Sequence, residues 1–414
     1  MIKLYTIFLL MVLLFIPASA EDVIISLPDG FQATVFAEDL GRARHIAVNS
    51  NGDVYVRLRD LKDGNGIVAL RDDNNDGTAD VVQYFENTRG TGIEVHNNYL
   101  YFSSDTSVHR YPLTGNTLVP TGGRETIIGG IPEQRQHAAK PLAFDDQGNL
   151  YLNIGAPSNA CQEDMRTPGS PGQDPCPQLE YHGGIWVFSD NTLNQSLYTD
   201  AFRFTTGIRH CVAVAWNPVV DHLYAVQHGR DQLDSLWPES FNAEQNAELP
   251  AEEFLLIEEG DDFGWPFCYY DGLKDQKVLA PEYGGDGTIV GRCAEAKDPI
   301  MDFPAHWAPN DLIFYTDDQF PEAYQNGAFV AFHGSWNRAP LPQQGYNVAF
   351  VPFDGELPSG DFEVFAKGFA DEEEFFSTRD AKYRPMGLAQ GPDGALYITD
   401  SRTGRIWKIT YTGN

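Results

Sequence analysis

The sequence PLAFDDQGNLYLNIG, residues 141–155, contains one copy of a unit that recurs along the chain. Two apolar segments flank the turn DDQGN, and the second segment is centred on Tyr151. Asp, Asn and Gly are typical residues of tight turns, and apolar segments on both sides of such a turn are typical of a β-hairpin. The sequence therefore predicts two antiparallel strands joined by a tight turn.

The second half of this unit, a short β-rich run that carries a Tyr, appears six times. The copies are GDVYV (Tyr55), NYLYF (Tyr101), GNLYL (Tyr151), DHLYA (Tyr224), LIFYT (Tyr315) and GALYI (Tyr397). Their spacing averages about 68 residues, which exceeds a minimal propeller blade and predicts long loops, above all over residues 237–309. We therefore predict an all-β fold, a six-bladed β-propeller with four-stranded blades and long inter-strand loops. A β-sandwich is the alternative. Pairing of the N- and C-terminal strands in one blade would close the ring.

The composition bears on the class of partner. The 414 residues include 28 Lys and Arg against 59 Asp and Glu, which gives a formal net charge of -31. A nucleic-acid partner is not expected, because phosphate backbones are bound by clustered cations that this balance does not supply. A hydrophobic fraction of 42% is typical of a folded chain rather than a disordered one.

The first 20 residues, MIKLYTIFLLMVLLFIPASA, carry one charge at Lys3, then an apolar run and a site of small residues. This pattern predicts a signal peptide over residues 1–20 and export to the periplasm or the medium. An uncleaved membrane anchor is the alternative. Residues 21–414 are expected to form a single propeller domain without a membrane span.

Export allows disulfide bonds among the five cysteines. The simplest pairing joins Cys161 to Cys176 and Cys268 to Cys293, because each pair brackets one Gly-rich stretch. Cys211 is left over in the apolar run CVAVAW, and we expect it to be a buried, inert thiol.

Cationic side chains precede the tyrosines at equivalent positions, and in a propeller these positions converge on the channel mouth. They are Arg44, Arg89, His137, Lys140, Arg209, His210, His306, Lys382 and Arg384. Their recurrence in an acidic chain predicts an anion-binding site on the axis, because Arg binds carboxylates through two parallel hydrogen bonds. Separate ion pairs at the blade junctions are the alternative. A neutral His137 within this ring fits a general base, because neighbouring cations lower the pKa of an imidazole.

Several motifs together resemble a known family. They are RQHAAKPLAFDDQGNLYLNIG (135–155), GIRHCVAVAWNP (207–218), QHGRDQLDSLWP (227–238), GDDFGWPFC (260–268), FHGSWNRAP (332–340) and YRPMGLAQGPDGALYITD (383–400). Over roughly residues 27–411 the chain resembles the PQQ-dependent sugar dehydrogenases of the soluble glucose dehydrogenase and L-sorbosone dehydrogenase group, and it is most similar to the sorbosone-type branch. GWP after an acidic turn and HGSWNR are the specific signals.

The resemblance implies a propeller that holds pyrroloquinoline quinone (PQQ), a tricarboxylate, over its channel together with one Ca²⁺. It implies that His137 is the catalytic base and that Arg209 contacts both cofactor and substrate. The backbone carbonyls of Gly229 and Arg230 align with the Ca²⁺ ligands. Together with the cation ring, the resemblance implies cofactor contacts from Arg44, Lys140, Arg209, His210, His333, Arg338, Lys382 and Arg384.

Two positions depart from the glucose dehydrogenases of this group. Ala156 stands where they have an Asp that supports the base, and His210 stands where they have Asn. These departures favour an alternative function, a non-catalytic propeller that binds a carbohydrate or a protein surface. A Ca²⁺-dependent lactone hydrolase ranks last, because such sites need several axial carboxylates whereas this ring is cationic.

The favoured hypothesis is an exported PQQ- and Ca²⁺-dependent dehydrogenase that oxidises a sugar, an aldose or a related alcohol by hydride transfer to the quinone. In this hypothesis His137 takes the hydroxyl proton and Arg209 orients the substrate oxygen. The chain lacks the haem-attachment motif C-x-x-C-H. Electrons are therefore expected to pass to an external acceptor, such as a quinone, a cytochrome or a dye.

Overall fold

The computed structural model describes residues 25–413, so the predicted signal peptide at residues 1–20 lies outside the described residues. Within this range the strands, in chain order, are β1 (Phe31–Ala37), β2 (Ala43–Val48), β3 (Val54–Lys62), β4 (Asn65–Arg71), β5 (Val81–Phe85), β6 (Ile93–His96), β7 (Tyr99–Ser103), β8 (Val108–Pro112), β9 (Glu125–Gly129), β10 (Leu142–Phe144), β11 (Asn149–Ile154), β12 (Gly184–Ser189), β13 (Gln195–Ser196), β14 (Phe202–Thr206), β15 (Cys211–Asn217), β16 (His222–Gln227), β17 (Glu252–Ile257), β18 (Cys268–Asp271), β19 (Gln276–Leu279), β20 (Met301–Phe303), β21 (Pro309–Phe314), β22 (Ala328–Phe332), β23 (Asn347–Val351), β24 (Phe353–Asp354), β25 (Leu357–Pro358), β26 (Glu363–Ala366), β27 (Pro385–Gln390), β28 (Leu396–Asp400) and β29 (Ile406–Tyr411). Two short helices, α1 (Leu233–Leu236) and α2 (Ala243–Glu248), lie between β16 and β17.

The strands form six antiparallel blades around one axis. Blade 1 contains β2 to β5, blade 2 contains β6 to β9, blade 3 contains β10, β11, β12 and β14, blade 4 contains β15, β16, β17 and β20, and blade 5 contains β21, β22, β23 and β26. Blade 6 contains β27 to β29 and is completed by β1, which pairs with β29 from Phe31 opposite Tyr411. This pairing closes the ring, and the predicted six-bladed propeller with four-stranded blades is confirmed. Blade 2 gains β13 as an additional, parallel strand.

The hydrophobic core is divided among the junctions between neighbouring blades, each of which holds its own cluster of buried side chains. At the junction of blades 6 and 1, for example, Phe36, Val54 and Tyr397 share one cluster. Each such side chain contributes about 1.5–3 kcal/mol on full burial. The ring therefore fixes the inner ends of all six blades relative to one another.

The recurring tyrosines are buried and join neighbouring blades. The hydroxyls of Tyr55, Tyr101 and Tyr224 donate hydrogen bonds of 2.9, 2.8 and 2.8 Å to backbone carbonyl oxygens of the following blade. Tyr151 instead stacks on Trp216 of the following blade, with ring centroids 5.6 Å apart. A buried phenol needs a hydrogen-bond partner as well as apolar contacts, which explains why Tyr recurs at this position.

Tyr315 is not equivalent to the other five tyrosines, contrary to the sequence-based prediction. It follows β21, the innermost strand of blade 5, whereas the other five lie in the second strand of their blades. The equivalent position in β22 is held by Phe329, which lies opposite Ile313. The Tyr315 hydroxyl nevertheless donates to the carbonyl of Gly394 in blade 6 at 2.7 Å, so it joins two blades as the others do.

Long insertions lie in blades 3 and 4, as the spacing predicts. The disulfides Cys161–Cys176 and Cys268–Cys293 both form, so the predicted pairing is confirmed. Cys211 is free and buried, and burial raises the pKa of its thiol well above the ordinary value. Neither helix of the described residues is long and apolar enough to cross a membrane.

Candidate functional site

The segments that precede the innermost strands β10, β15 and β21 meet at one end of the axis, where they enclose a cavity of about 160 Å³. The cavity is lined by His137, Arg209, His210, His228, Gly229, Asp231, Glu252, His306, Ala308, Trp336 and Asn337. The structure thus brings together five residues that the sequence singled out, namely His137, Arg209, His210, Gly229 and His306. A separate cavity of about 320 Å³ lies farther along the channel and is lined by the six innermost strands.

His137 is held in one tautomer by a backbone carbonyl. Its Nδ1 lies 2.6 Å from the carbonyl oxygen of Ala156. A carbonyl oxygen only accepts hydrogen bonds, so Nδ1 carries the hydrogen and Nε2 keeps its lone pair. The backbone of Gly155 makes this approach possible, because a Cβ there would lie 2.8 Å from the Cβ of His137 and 2.7 Å from Nδ1 of His210.

Neighbouring groups keep the His137 imidazole neutral. Burial and the positive charge of Arg209 hold the pKa of His137 well below its ordinary value. The ring of His210 stacks on it, with centroids 4.7 Å apart and an angle of 24° between the planes. His228 and Asp231 complete the titratable groups around His137. His210 is itself buried and neutral, and its Nδ1 has no hydrogen-bond partner within the described residues.

Arg209 is buried and held by four hydrogen bonds. Its guanidinium donates to the backbone oxygen of Asn159 at 3.2 Å, to Oδ1 of the same residue at 3.0 Å, and to Oδ2 of Asp231 at 2.9 Å. It also donates to the carbonyl oxygen of Gly229 at 2.8 Å. Burial opposes ionisation of Asp231, but Arg209 and other neighbouring cations outweigh it and lower the pKa of Asp231 to about 2. The result is a fixed ion pair at the wall of the cavity.

The loop that contains Gly229 and Arg230 is anchored from both sides. The Gly229 N–H donates to Oε2 of Glu252 at 2.7 Å. The side chain of Arg230 points into the protein, where its guanidinium donates to both carboxylate oxygens of the fully buried Glu282. Side chains alone do not form a metal site, because the described residues contain no group of three or more His, Cys, Asp or Glu side chains that could hold an ion. A cation at this loop would therefore depend on backbone oxygens.

Lys140 and Arg44 are cations with few partners. The Lys140 ammonium is fully buried and donates to the carbonyl of Ala138 at 2.9 Å, and the Arg44 guanidinium donates to Oγ1 of Thr91 at 3.3 Å. Neither cationic group has another hydrogen bond or ion pair within residues 25–413. Burial lowers the pKa of Lys140 to about 8 and that of Arg44 to about 9. Lys140 is buried and Arg44 is partly buried, and cations with unused donors in such places are suited to an anionic ligand.

A family model described as TrAA12-like matches residues 25–412. The chain belongs to the TrAA12-like family. A curated relative of this family, the pyrroloquinoline quinone-dependent pyranose dehydrogenase of Coprinopsis cinerea, is 31% identical over 168 residues. The match covers 35% of this chain and 22% of that enzyme, so it spans about a fifth of the enzyme's length. The resemblance to PQQ-dependent sugar dehydrogenases is thereby confirmed.

Solved structures share the TrAA12-like fold. The holo form of the PQQ domain of pyranose dehydrogenase from Coprinopsis cinerea has a TM-score of 0.76 at 19% identity, over 93% of this chain and 97% of that chain. The calcium structure of the family AA12 carbohydrate-active enzyme from Trichoderma reesei has a TM-score of 0.75 at 19% identity, over 94% of this chain and 97% of that chain. At these identities the likeness establishes the fold.

The remaining predicted cofactor contacts divide into two groups in this TrAA12-like protein. Arg384 and His333 lie together, since the Arg384 guanidinium donates to the His333 carbonyl at 2.8 Å, and the charge of Arg44 also acts on the His333 ring. Arg338 follows Asn337 of the cavity lining, but its guanidinium is fully buried and donates to backbone carbonyls and Glu248. Lys382 is 45% exposed and forms an ion pair with Asp371 at 3.4 Å. Neither Arg338 nor Lys382 offers a free charge to the axis.

Six residues of the cavity lining escaped the sequence-based prediction, namely His228, Asp231, Glu252, Ala308, Trp336 and Asn337. Asp231 directly follows the predicted carbonyl pair, and this acidic neighbour was an available signal. Nothing in the sequence around Glu252 indicated a site, because this residue belongs to the strand sequence EEFLLI. Trp336 lies in the HGSWNR motif but reached the cavity only through the fold of its loop. Arg89, a member of the predicted ring, is 60% exposed and faces Asp105 at the surface.

Proposed function

We propose that this chain is an exported PQQ- and Ca²⁺-dependent dehydrogenase that oxidises a sugar, an aldose or a related alcohol. The observation that carries the proposal is the neutral His137 imidazole, fixed in one tautomer, in a cavity whose His210 and His228 rings are acted on by the charges of the poorly partnered cations Lys140 and Arg44. A tricarboxylate supplies the hydrogen-bond acceptors that these two cations lack. The names of the similar structures, which include a holo PQQ domain, support the same ligand.

Lys140, Arg44 and Arg384 would hold the carboxylates of PQQ, and His210 would contact it from the wall of the cavity. These residues fit the cofactor because Lys140 and Arg44 have unused hydrogen-bond donors and the imidazole of His210 has an unpartnered Nδ1 within the described residues. When bound, PQQ supplies the two-electron acceptor that the protein itself lacks. Arg338 and Lys382 are left out of this set because their cationic groups are used elsewhere.

His137 is the proposed general base, since its Nε2 lone pair is free and its pKa keeps it neutral at ordinary pH. Arg209 is the proposed substrate contact. Its guanidinium is already oriented by Asn159 and Asp231, so little side-chain entropy is lost when it binds the substrate oxygen. Both groups line the same cavity, as a proton transfer from a bound hydroxyl requires.

The backbone carbonyls of Gly229 and Arg230 are the proposed Ca²⁺ ligands. The Gly229 oxygen also accepts a hydrogen bond from Arg209, so a divalent cation at this oxygen would face a guanidinium. Asp231 and Glu252 line the same cavity. The ionised carboxylate of Asp231 supplies negative charge that offsets this repulsion, whereas burial raises the pKa of Glu252 to about 8 and keeps it largely protonated until a cation binds. A calcium structure of the Trichoderma reesei enzyme is among the similar folds and supports this choice of metal.

The proposal includes cleavage of a signal peptide over residues 1–20, a single propeller domain over residues 21–414, and transfer of electrons to an external acceptor. The two disulfides are consistent with an oxidising compartment. The sorbosone-type branch stays a prediction.

Titration of the purified mature protein with PQQ, in the presence of Ca²⁺ or of EDTA, tests the proposal. Cofactor absorbance reports binding, and a panel of sugars with a dye acceptor then reports turnover. We expect saturable binding that depends on Ca²⁺, followed by dye reduction. Binding without reduction of the dye by any sugar would favour the non-catalytic alternative, and no binding at all would exclude the quinone.

A further inference from the structure

An exposed tryptophan stands at the mouth of the cavity on a rigid loop. Trp336 is 56% exposed, although its neighbours Ser335 and Arg338 are 0% and 1% exposed. The Ser335 hydroxyl donates to Oε1 of Gln343 at 2.8 Å, and Arg338 is tied to carbonyls of other segments. The indole itself has no aromatic partner within the described residues. Several hydrogen bonds therefore hold this loop in place, and the loop exposes the indole plane of Trp336 to solvent.

The loop closed by Cys161 and Cys176 reaches the cavity through Arg166, which bonds to the lining residue Asp231. Arg166 of this loop donates to Oδ2 of Asp231 at 3.1 Å and to Oε1 of Gln136 at 3.1 Å. Its guanidinium also donates to Gln232, and 28% of the Arg166 side chain is exposed. A planar cation is therefore fixed at the rim rather than free in solvent.

Asp231 connects the two loops. Its Oδ2 accepts from Arg166, and its Oδ1 accepts from Nδ2 of Asn337 at 3.2 Å, the residue next to Trp336. The rim therefore combines one exposed indole with a guanidinium, a carboxylate and amide groups. Vicinal hydroxyls match such planar polar groups, and the C–H face of a pyranose ring matches an indole.

The depth of these groups indicates which part of a ligand they contact. His137 and Arg209 line the inner cavity, where the oxidised carbon must lie in the proposed function. Trp336 and Arg166 are at the rim and partly exposed to solvent, so they would contact a part of the substrate beyond the ring that is oxidised. We propose that Trp336 and Arg166 form a second sugar subsite, so that the preferred substrate is a disaccharide or longer oligosaccharide oxidised at one terminal ring.

This inference rests on the proposed function for the position of the oxidised ring, but sugar binding can be measured without turnover. Calorimetric titration of the mature protein with glucose, maltose and cellobiose compares the affinities directly. We expect at least one disaccharide to bind about tenfold more tightly than glucose, and Trp336→Ala to remove that advantage. Phe202→Ala is the matched control, because Phe202 is 50% exposed on an outer strand of blade 3.

Kinetics of the PQQ-loaded protein add a second readout. Trp336→Ala should lower kcat/KM for the disaccharide about tenfold and that for glucose by less than about threefold, mainly through KM. Equal binding of glucose and both disaccharides, or an equal loss for both classes in the variant, would overturn the subsite. Failure of the proposed function gives a different result, since dye reduction would then be absent while calorimetry still reports the sugars.

Discussion

Nδ1 of His137 donates its hydrogen to the backbone carbonyl of Ala156, 2.6 Å away, at the position where the resemblance to glucose dehydrogenases implies a supporting Asp. A neutral carbonyl fixes the tautomer as well as a carboxylate does, but it adds no negative charge to stabilise the imidazolium. The base is therefore oriented without being made more basic. An Asp side chain at position 156 would therefore be expected to raise the pKa of this base.

The first prediction concerns pH. The pKa of His137 is lowered by burial and by Arg209, so the neutral, active form persists to lower pH than in a free imidazole. The acid limb of kcat/KM should lie below about pH 6.5, the ordinary pKa of His. Ala156→Asp should move this limb upward by about one pH unit, because a nearby carboxylate favours the imidazolium. Rate profiles of the PQQ-loaded protein and the variant measure the shift.

Ala156→Asn is the control for this shift, since the amide has nearly the volume of the carboxylate but no charge. Its acid limb should stay at the position of the unmodified protein even if the packing of the fully buried Ala156 is disturbed. An equal shift in both variants would show that packing, and not charge, sets the pH profile.

The second prediction concerns the role of His137 itself. His137→Ala should keep PQQ, because the cofactor carboxylates are held by cations elsewhere on the axis, but turnover should fall by about 10² to 10⁴. Absorbance titration gives the affinity for PQQ, and dye reduction gives the rate. Turnover that survives intact would remove His137 from the role of base.

The third prediction tests the space around the two imidazoles. A Cβ at Gly155 would lie 2.7 Å from Nδ1 of His210 and 2.8 Å from the Cβ of His137, so Gly155→Ala must displace one of the rings. We expect kcat to fall at least about tenfold, because a misplaced base loses its near-attack geometry. Gly123→Ala is the matched control, since a Cβ there has nothing within 4 Å. Equal kcat in the two variants would show that the stacked pair tolerates displacement.

Much of the fold could be predicted because its repeat has a local physical cause. A hairpin needs a turn and two apolar segments, and the Tyr adds a hydroxyl that reaches the next blade, so each copy carries the same signal. Tyr315 was placed wrongly because Phe329 satisfies the packing requirement of the equivalent position while the hydroxyl comes from another strand. The Tyr in the sequence indicates the hydrogen bond between blades, but it does not indicate which strand carries the hydroxyl.

The candidate site was harder to predict from the sequence, because an equivalent position in each blade does not determine the direction in which a long side chain points. Lys140 and Arg384 reach the axial region, whereas Arg338 turns into the protein to satisfy backbone carbonyls and Lys382 turns to the surface. Trp336 was missed because exposure of one residue between two buried neighbours depends on contacts far apart in sequence. The direction and exposure of these side chains depend on tertiary packing, which a sequence repeat does not encode.

The fourth prediction follows from the fully buried ammonium of Lys140. Burial lowers its pKa from 10.5 to about 8, so the folded protein without PQQ carries the cost of a charge that has one carbonyl as acceptor. That cost is present in full below pH 8 and disappears as the pH rises from 8 to 10.5, because the folded state then loses its proton before the unfolded state does. Lys140→Met should therefore stabilise the protein below pH 8, by up to about 3 kcal/mol.

The same variant should bind PQQ more weakly by about 10- to 100-fold, because it lacks a charge-assisted hydrogen bond to the cofactor. Denaturant unfolding at pH 7 and pH 10 measures the stability, and absorbance titration measures the affinity. Lys382→Met is the control, since that side chain is 45% exposed and paired with Asp371, and it should change neither quantity appreciably. A gain in stability without loss of affinity would place the cofactor away from Lys140. A loss of affinity for PQQ in Lys382→Met but not in Lys140→Met would show that Lys382, and not Lys140, contacts the cofactor.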